Sequence, residues 1–328
     1  MAEEIRVGII GCGGIANGHI GRLISIPEAK ITGLMDIDPK RLQAAAQRFP
    51  EIADVPVFEN HKEMIEELDL DATVICSPHF IHTEQILDSL NAGLHVLTEK
   101  PMVCSIEEAR KVREAEETAG TVLGISYQRH TQAEYQFVRD QIASGETGDV
   151  MFVGALQGQA WLYNTRGTWR QSLEKSCGGQ LNDSGSHLID IILWMTGLAV
   201  EEVTSEIHNR GTEVDIDSAV SMRFKNGAVG TLSVIGSCPV WWEDITITCS
   251  EWAFFLRQGQ PLTYTTGRQG ETHTVSGFTY GSESPDHNFI DAILGRDDIL
   301  APSICGLRTI EVTEAAWKSA EQGEPFQL

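Results

Sequence analysis

Val7-Gly8-Ile9-Ile10-Gly11-Cys12-Gly13-Gly14-Ile15-Ala16 is an apolar run that leads directly into closely spaced glycines near the N-terminus of the chain. The apolar residues predict a β-strand, and residues Asn17 to Ile26 predict the helix that follows. A strand, a tight glycine turn and a helix N-terminus, in this order, form the phosphate-binding part of dinucleotide-binding domains. We therefore expect the turn to bind a pyrophosphate.

The small residues of this turn have separate physical tasks. Gly11 can adopt the unusual dihedral angles of the turn, and Gly13 lacks the Cβ that would hold the backbone away from a pyrophosphate. Gly14 and Ile15 lead into the helix, whose free N–H groups and positive dipole end attract an anion. Ala16 is small enough for helix and strand to pack closely. We predict that all five residues border the cofactor.

The second predicted strand, Ile31 to Met35, ends in Asp36, twenty residues beyond Ala16. An acidic side chain at this spacing accepts hydrogen bonds from the adenosine ribose hydroxyls. It also repels the 2′-phosphate of NADP, so the predicted cofactor is NAD. The alternative is that Asp36 caps the helix beginning near Pro39, although Asp38 is better placed for that task.

The composition indicates a globular protein of about two domains. Of its 328 residues, 41% are hydrophobic, and 47 Asp and Glu against 24 Lys and Arg give a formal net charge of −23. This charge argues against nucleic acid or an anionic membrane as the main partner. The N-terminus predicts no signal peptide and no apolar run is long enough to span a bilayer, while the seven scattered cysteines are typical of free thiols. We expect a cytoplasmic protein without a metal site.

Predicted strands and helices alternate up to about Ser126, which is typical of a parallel sheet covered on both faces. The later sequence is dominated by alternating strands, and Asn226-Gly227 predicts a two-residue hairpin turn. The predicted fold class is therefore α/β. A doubly wound (Rossmann) parallel sheet is expected in residues 1–126, and an α+β domain with a large, mostly antiparallel sheet in residues 127–328. Residues 302–322 are a candidate closing helix for the first domain.

Two further segments follow predicted parallel strands at their carboxyl ends, where such sheets bind ligands. One begins with Ser77-Pro78 and includes His82, and the other is Glu99-Lys100-Pro101. We expect both to border the cofactor, with Lys100 beside its nicotinamide half. A lysine in a surface loop is otherwise an ordinary solvated charge.

The second informative stretch is Gly178-Gly179-Gln180-Leu181-Asn182-Asp183-Ser184-Gly185-Ser186-His187-Leu188-Ile189-Asp190. Asp183 and His187 are four residues apart and share a face of a helix, and the two glycines allow the backbone to approach another surface closely. Carboxylates beside a histidine fix its tautomer and tune its basicity. Structural alternatives are equally well supported by the spacing: Asp183 as a helix cap and His187 as a core residue.

Taken together, the glycine turn with Asp36, the Glu99-Lys100-Pro101 segment and the Asp183/His187 motif resemble the Gfo/Idh/MocA family of NAD(P)-dependent sugar and polyol oxidoreductases. The resemblance runs from Ile5 to the end of the chain. It implies that Lys100, Asp183 and His187 form the catalytic group, in a cleft against the C-terminal sheet. It also implies a homodimer or homotetramer built through that sheet.

The activity implied by the resemblance is reversible hydride transfer between a ring secondary hydroxyl and NAD. The substrate would be a sugar or cyclic polyol (inositol-like, pyranose or anhydrosugar), with His187 as the base, Lys100 as a hydrogen-bond donor to the oxygen and Asp183 holding an adjacent hydroxyl. Asp190 is predicted to support His187 or to lie on the helix surface. Two other functions stay open: an NAD-retaining enzyme that cleaves glycosides through transient oxidation, and a non-catalytic NAD-binding regulator.

We also predict a set of substrate contacts in the second half of the chain and just before it. These are His130, Gln159, Trp161, Trp169 and Arg170. The two tryptophans and the arginine belong to a predicted loop that is able to cover the face of a sugar. Packing or oligomer contacts explain these three residues equally well.

Overall fold

The computed structural model describes residues 4–267, 270–275 and 284–328, and within them the chain divides into two compact units. The first unit comprises residues 4–131 together with 284–306. The second comprises the described residues between 132 and 275 together with 307–328. Each unit has its own sheet and its own apolar core.

Within the described part of the first unit, strands and helices alternate along the chain. The strands are β1 (Ile5–Ile10), β2 (Ala29–Met35), β3 (Val57–Phe58), β4 (Ala72–Ile75), β5 (His95–Thr98) and β6 (Leu123–Ile125). The helices between them are α1 (Ala16–Ser25), α2 (Pro39–Arg48), α3 (His61–Glu67), α4 (His82–Asn91) and α5 (Ile106–Ala119). Single 3₁₀ turns occur at Pro50–Ile52, His79–Ile81 and Gln128–Thr131.

These six strands form one parallel sheet in the order β3-β2-β1-β4-β5-β6. This is the strand order of a doubly wound dinucleotide-binding fold, and the predicted Rossmann sheet is confirmed. The order reverses between β1 and β4, and ligands of such sheets bind in the crevice at that reversal, at the carboxyl ends of the strands. The glycine turn follows β1 and therefore lies at the reversal.

The described residues of the second unit form a nine-stranded sheet and several helices. The helices are α6 (Ala133–Ser144), α7 (Trp161–Asn164), α8 (Leu173–Ser176), α9 (Gln180–Asp183) and α10 (Gly185–Thr196), with a 3₁₀ turn at Trp169–Gln171. The strands are β7 (Val150–Gly158), β8 (Val200–His208), β9 (Asp217–Phe224), β10 (Val229–Ile235), β11 (Trp242–Cys249), β12 (Trp252–Arg257), β13 (Thr263–Thr266) and β14 (Glu271–Thr274). The C-terminal elements are α11 (Pro285–Ile293), α12 (Ser303–Gln322) and β15 (Phe326–Gln327).

The sheet order of the second unit is β14-β13-β12-β11-β7-β10-β9-β8-β15. Its pairings are antiparallel except for β7 with β10, so the predicted, mostly antiparallel sheet is confirmed. Buried and exposed residues alternate along β9 and β10, as expected for a sheet with one face on the core. Helix α11 belongs to the first unit, where Phe289 and Ile290 join the apolar core, whereas α12 belongs to the second unit from Leu307 onward.

The predicted two-residue turn at Asn226-Gly227 is wrong in length. Phe224 N donates to the carbonyl oxygen of Ala228, which leaves a three-residue loop, and Gly227 adopts a φ of 87°. A type I turn followed by a glycine with positive φ is the usual three-residue hairpin. The glycine therefore predicted the position of the hairpin correctly. Its positive φ fits the three-residue loop that the structure shows.

The thiol groups differ in part from the expectation of free cysteines. Cys12, Cys76, Cys238, Cys249 and Cys305 are free. Cys104 and Cys177 are each disulfide-bonded, so the expectation is wrong for these two. No described helix combines the length and the apolar character that crossing a membrane requires.

Candidate functional site

The glycine turn after β1 is shaped by a close backbone approach. Gly11 has a φ of 89°, and a Cβ on it would lie 2.9 Å from the carbonyl carbon of Cys76, directly after β4. A Cβ on Gly13, by contrast, would have no atom of the described residues within 4 Å. Ala16 is fully buried in the core of the first unit. The tasks predicted for Gly11 and Ala16 are confirmed, and the space beside Gly13 is open to a ligand.

The N-terminus of α1 provides donors for an anion. Ile15 precedes the helix and makes no side-chain capping bond, and the first turn contains no acidic residue. The first N–H groups of a helix have no partner within the helix, and the dipole is positive at that end. The space beside Gly14 is as open as that beside Gly13. These features fit the pyrophosphate of a dinucleotide.

Asp36 lies at the end of β2, buried beside the glycine turn. Its Oδ2 accepts from Cys12 N at 2.8 Å and its Oδ1 from Asp38 N at 2.9 Å. A carboxylate offers about four acceptor positions, so capacity for ribose hydroxyls is left. The side chain of Asp38 caps α2 by accepting from Lys40 N at 3.0 Å, which rejects the capping alternative for Asp36. Arg41 Nη1 lies 3.6 Å from the Asp36 carboxylate.

His82 joins the two loops that follow β4 and β5. Its ring is fully buried, with Nδ1 2.8 Å from the Pro101 carbonyl oxygen and Nε2 2.9 Å from the Ser77 carbonyl oxygen. Burial lowers the pKa of His82. Ser77 Oγ in turn donates to Gln85 at 2.6 Å, and Pro78 opens the short 3₁₀ turn between them. His82 therefore fixes the loops through their backbone.

Lys100 directly follows the sheet at the same carboxyl edge. Glu99 N still donates to Ile75 O in β4 at 2.8 Å, and Glu99 Oε2 accepts from Lys100 N at 3.2 Å. The other oxygen of Glu99 lies 3.1 Å from His19 Nε2. Lys100 is half-buried, and its peptide bond to Pro101 is cis. A lysine held so close to the sheet edge differs from a solvated loop lysine.

In the second unit, Asp183 is held by two donors. Its Oδ2 accepts from Trp161 Nε1 at 2.9 Å and from Arg170 Nε at 3.0 Å, and the residue is almost fully buried. The Arg170 guanidinium lies 4.5 Å from the centre of the Trp169 ring. Charge-assisted hydrogen bonds to a buried carboxylate favour its ionised form and fix its direction.

Asp183 and His187 are not on one uninterrupted helix. Asp183 ends α9 and α10 begins at Gly185, but Ser184 between them has a φ of −79° and a ψ of −33°. Helical dihedrals at this junction keep the two side chains about one turn apart. Ser184 precedes α10 without a side-chain capping bond, and the Asp183 carboxylate binds Trp161 and Arg170.

The exposure of His187 distinguishes it from its neighbours on α10. It is half-buried, whereas a core histidine would be fully buried. The core residues of this helix include Leu188, Ile189, Ile191, Ile192 and Leu193. Asp190 is 2% exposed, so its predicted place on the helix surface is wrong.

The predicted substrate contacts divide into two groups. Gln159 Oε1 accepts from Ser184 Oγ at 2.7 Å and from Gln180 Nε2 at 3.2 Å, which ties the end of β7 to the turn that carries Asp183. Trp169 and Arg170 are half-exposed beside Asp183. These three residues remain candidates for substrate contacts.

Trp161 and His130 are buried instead. Trp161 is 2% exposed in a small cluster with Val214 and Ile216, which favours the packing alternative over a contact with the face of a sugar. It orients Asp183 instead. His130 is 1% exposed in the first unit, with Nδ1 2.7 Å from the Leu300 carbonyl oxygen. Its buried ring has a bond to the backbone.

Sequence reasoning missed Asp215, which anchors the turn carrying Asp183. The carboxylate accepts from Gly179 N at 2.8 Å, Leu181 N at 2.7 Å and Trp317 Nε1 at 2.9 Å. Burial raises the pKa of Asp215. A Cβ on Gly179 would lie 1.8 Å from the Asp215 carbonyl oxygen, and one on Gly178 would lie 2.4 Å from the Trp317 ring. The two glycines were the available signal, and the close approach predicted for them is confirmed.

Comparison with known families assigns both halves of the chain. Residues 5–127 match the family described as "Oxidoreductase family, NAD-binding Rossmann fold", and residues 135–254 match the "GFO/IDH/MocA C-terminal domain". An inositol 2-dehydrogenase of Corynebacterium glutamicum is 25% identical over 307 residues, which are 89% of this chain and 87% of that protein. A glucose-6-phosphate 3-dehydrogenase of Bacillus subtilis is 30% identical over 192 residues, 58% of this chain and about half (53%) of that protein.

Solved structures share the fold over nearly the whole chain. The WlbA dehydrogenase of Bordetella pertussis, in complex with NADH and UDP-GlcNAcA, has a TM-score of 0.83 at 24% identity, covering 99% of this chain and 98% of that one. A levoglucosan dehydrogenase in complex with NADH has a TM-score of 0.87 at 18% identity, covering 99% of both chains.

The contact between Gly179 and Asp215 predicts a matched pair of glycine variants. Gly179→Ala should lower the free energy of unfolding by about 3 kcal/mol, because the new methyl group overlaps a backbone oxygen that cannot move freely. Gly21→Ala in α1 is the control: its Cβ would lie 3.6 Å from Phe49, an ordinary contact, and it should be neutral or stabilising by about 0.5–1 kcal/mol. Urea unfolding of both variants measures the difference. Equal stability of the two would contradict the close approach.

Proposed function

The chain belongs to the Gfo/Idh/MocA oxidoreductase family, and we propose that it is an NAD-dependent dehydrogenase of a ring secondary hydroxyl in a sugar or cyclic polyol. The substrate class is supported by relatives named for inositol, glucose 6-phosphate and D-glucoside. The observation that carries the proposal is the exposure of His187. Its imidazole is half-buried, whereas the next residues of the helix are in the apolar core, and it lies one turn after the fixed carboxylate of Asp183.

The first unit is an NAD-binding Rossmann domain. We assign the pyrophosphate to the open N-terminus of α1 beside Gly13 and Gly14, and the adenosine ribose to Asp36. Bound NAD supplies the hydride acceptor, the nicotinamide C4. The loop with Ser77 and the segment with Lys100 border it at the carboxyl edge of the sheet.

In the proposed reaction, His187 accepts the proton of the substrate hydroxyl while hydride leaves the same carbon. Lys100 donates a hydrogen bond to that oxygen and stabilises the negative charge that develops on it. Asp183 accepts from a neighbouring substrate hydroxyl. Trp161 and Arg170 hold the Asp183 carboxylate in a fixed direction, so that it need not reorganise during the reaction.

A substrate panel tests the class of reaction. Myo-inositol, methyl β-D-glucoside, glucose 6-phosphate and levoglucosan are each incubated with the protein and NAD⁺, and NADH is followed by its absorbance. We expect NADH to form with at least one of these compounds, and we expect the product to be a ketone whose ring is intact. Release of a free sugar from the glucoside without NADH would contradict the proposal in favour of glycoside cleavage, and the absence of any turnover would favour a regulator.

The place of Asp36 predicts the cofactor preference. We propose that NAD⁺ binds more tightly than NADP⁺, because the buried carboxylate accepts from the ribose hydroxyls and repels a 2′-phosphate. Asp36→Ala should narrow the difference mainly by weakening NAD⁺. Arg41→Ala is the control for the neighbouring guanidinium and should leave NAD⁺ affinity within about threefold. Fluorescence titration of both cofactors measures this, and equal affinities in the unmodified protein would contradict it.

His187 and Lys100 predict losses of turnover without losses of stability. His187→Ala should lower kcat by about a hundredfold or more, the usual effect of removing a positioned acid–base group. Lys100→Ala should lower kcat similarly. Lys100→Arg should also lower kcat, because it retains the charge but not the geometry of the donor. NAD⁺ affinity and Tm should change little. A His187→Ala protein that is unstable, yet normally active per folded molecule, would instead identify a structural histidine.

The exposed face of the second sheet predicts self-association. Phe152 and Val229 are paired across β7 and β10 and are 37% and 47% exposed, and Trp242 on β11 is 43% exposed on the same face. We propose that this face forms a homodimer or homotetramer. Sedimentation velocity at micromolar concentration should show a species larger than the 36.0 kDa chain. Phe152→Asp should shift the sedimenting species towards the monomer. Val57→Asp, which changes an exposed residue of the first unit, should not. An unmodified protein that sediments as a monomer would contradict this assembly.

A further inference from the structure

A cluster of four ionisable groups, centred on a fully buried histidine, lies at the carboxyl end of the first unit's sheet. It consists of His19, Arg22, Glu99 and Asp286. His19 Nδ1 lies 2.7 Å from Asp286 Oδ1, and His19 Nε2 lies 3.1 Å from Glu99 Oε1. Arg22 Nε donates to the second oxygen of Asp286. The His19 and Asp286 side chains are fully buried, whereas the Arg22 side chain is 37% exposed, so the His19–Asp286 pair at the centre is shielded from solvent.

The geometry determines the protonation state of His19. Each ring nitrogen faces a carboxylate oxygen, and a carboxylate only accepts hydrogen bonds. Arg22 Nη2, which only donates, also lies 3.3 Å from Nδ1, but the carboxylate contact of Nδ1 at 2.7 Å is the shorter one. A neutral ring has one N–H and one lone pair, so the lone pair would face an anionic oxygen in a site without solvent. The imidazolium donates at both nitrogens. With His19 charged, two cations and two anions share the site, and the cluster is neutral as a whole.

The charges around His19 support the same state. The Asp286 and Glu99 carboxylates outweigh the opposing effect of burial and raise the pKa of His19 to about 9. Cys76 interacts electrostatically with Glu99, Asp286 and the neighbouring Cys12, and the His82 ring interacts with Glu99. Burial, followed by the nearby acidic side chains, raises both thiol pKa values, that of Cys12 to about 12. Both thiols therefore stay neutral at physiological pH and add no competing charge.

The cluster connects three elements with different tasks. His19 is on the first turn of α1, the helix assigned to the pyrophosphate, and Asp286 is on the first turn of α11. Glu99 directly follows β5, and its second oxygen accepts from the backbone N–H of Lys100 at 3.2 Å. The bond to His19 thus determines where the Glu99 carboxylate lies, and that carboxylate binds the backbone from which Lys100 extends.

We propose that His19 is a positioning residue: its imidazolium, fixed by Asp286, holds Glu99 against the Lys100 backbone and so sets the place of the Lys100 amine relative to the cofactor helix. The inference rests on the proposed function, since it gives Lys100 a role on the substrate oxygen. His19 itself touches neither substrate nor cofactor. The position of the Lys100 amine then depends on the proton of the buried His19 ring.

The proton on His19 also predicts how stability depends on pH. The pKa of His19 is higher in the folded protein, about 9, than its ordinary value of 6.5. The stabilisation from the charged ring is therefore complete below pH 6.5 and is lost as pH rises through 9. Tm should fall more steeply between pH 6.5 and 9 in the unmodified protein than in His19→Gln. The control is His61→Gln, because His61 lies outside this cluster, with Asp88 at 2.8 Å and Glu84 nearby.

Nitrogen NMR of the protein, labelled at its histidines, tests the protonation state directly. The His19 signals are identified by their disappearance in His19→Gln. At pH 7.5 both ring nitrogens of His19 should carry a proton. A neutral tautomer at this pH, or an equally steep fall of Tm in His19→Gln, would overturn the proposal.

A double-mutant cycle tests whether His19 acts through Lys100. With the panel compound that gives the highest turnover, His19→Gln should lower kcat at least tenfold while changing the Kd of NAD⁺ less than threefold. In the Lys100→Ala background the same change should lower kcat less than twofold, because the residue it positions is absent. Glu99→Gln, which keeps an acceptor for the Lys100 N–H but loses the charge that His19 binds, should repeat the pattern if His19→Gln does not fold.

The outcomes separate this inference from the proposed function. An equal loss of kcat in both backgrounds indicates a general structural effect and overturns the inference alone, as does an unchanged kcat in His19→Gln while Lys100→Ala is inactive. Full activity of Lys100→Ala removes the catalytic assignment of Lys100, and the positioning role of His19 with it. His61→Gln should leave kcat unchanged in every case.

Discussion

The close approach of the Gly11 backbone to the backbone after β4 is the constraint on which the first unit depends. A side chain at Gly11 would meet Cys76, and its φ of 89° is one that other residues rarely adopt. With the turn this tight, α1 starts at the point where the strand order reverses. The Asp36 carboxylate can then bind the turn directly, and the loops after β4 and β5 lie at the same edge.

A second backbone approach plays the matching part in the other unit. Gly179 lies against the Asp215 carbonyl, and the Asp215 side chain binds the N–H groups on either side of Gln180. The turn that carries Asp183 is thereby fixed to the chain segment before β9. The apolar residues of α10 hold that helix in the core, and His187 on its first turn is left half-buried. In both units, glycine permits the approach and a buried carboxylate secures it.

The sequence predicted what local patterns determine. The alternation of apolar runs with helical periodicity located the parallel sheet, and the spacing from Ala16 to Asp36 located a buried carboxylate that binds the glycine turn. What it could not predict are contacts between distant residues: Trp161 with Asp183 across 22 positions, Asp215 with Gly179 across 36, and His19 with Asp286 across 267. No periodicity links such pairs, since only the folded chain brings them together. Trp161 is an example. In the sequence alone, a tryptophan near a site motif is as compatible with covering a substrate as with orienting a carboxylate.

The central proposal is direct transfer of hydride from a substrate carbon to NAD. The most direct measurement is isotopic: a panel compound deuterated at its ring C–H positions is oxidised in ordinary water, and the NADH formed is examined by proton NMR. Direct transfer predicts one deuterium at C4 of the dihydronicotinamide, on a single face. Deuterium found in the solvent, or absent from NADH while the substrate is consumed, would contradict the account.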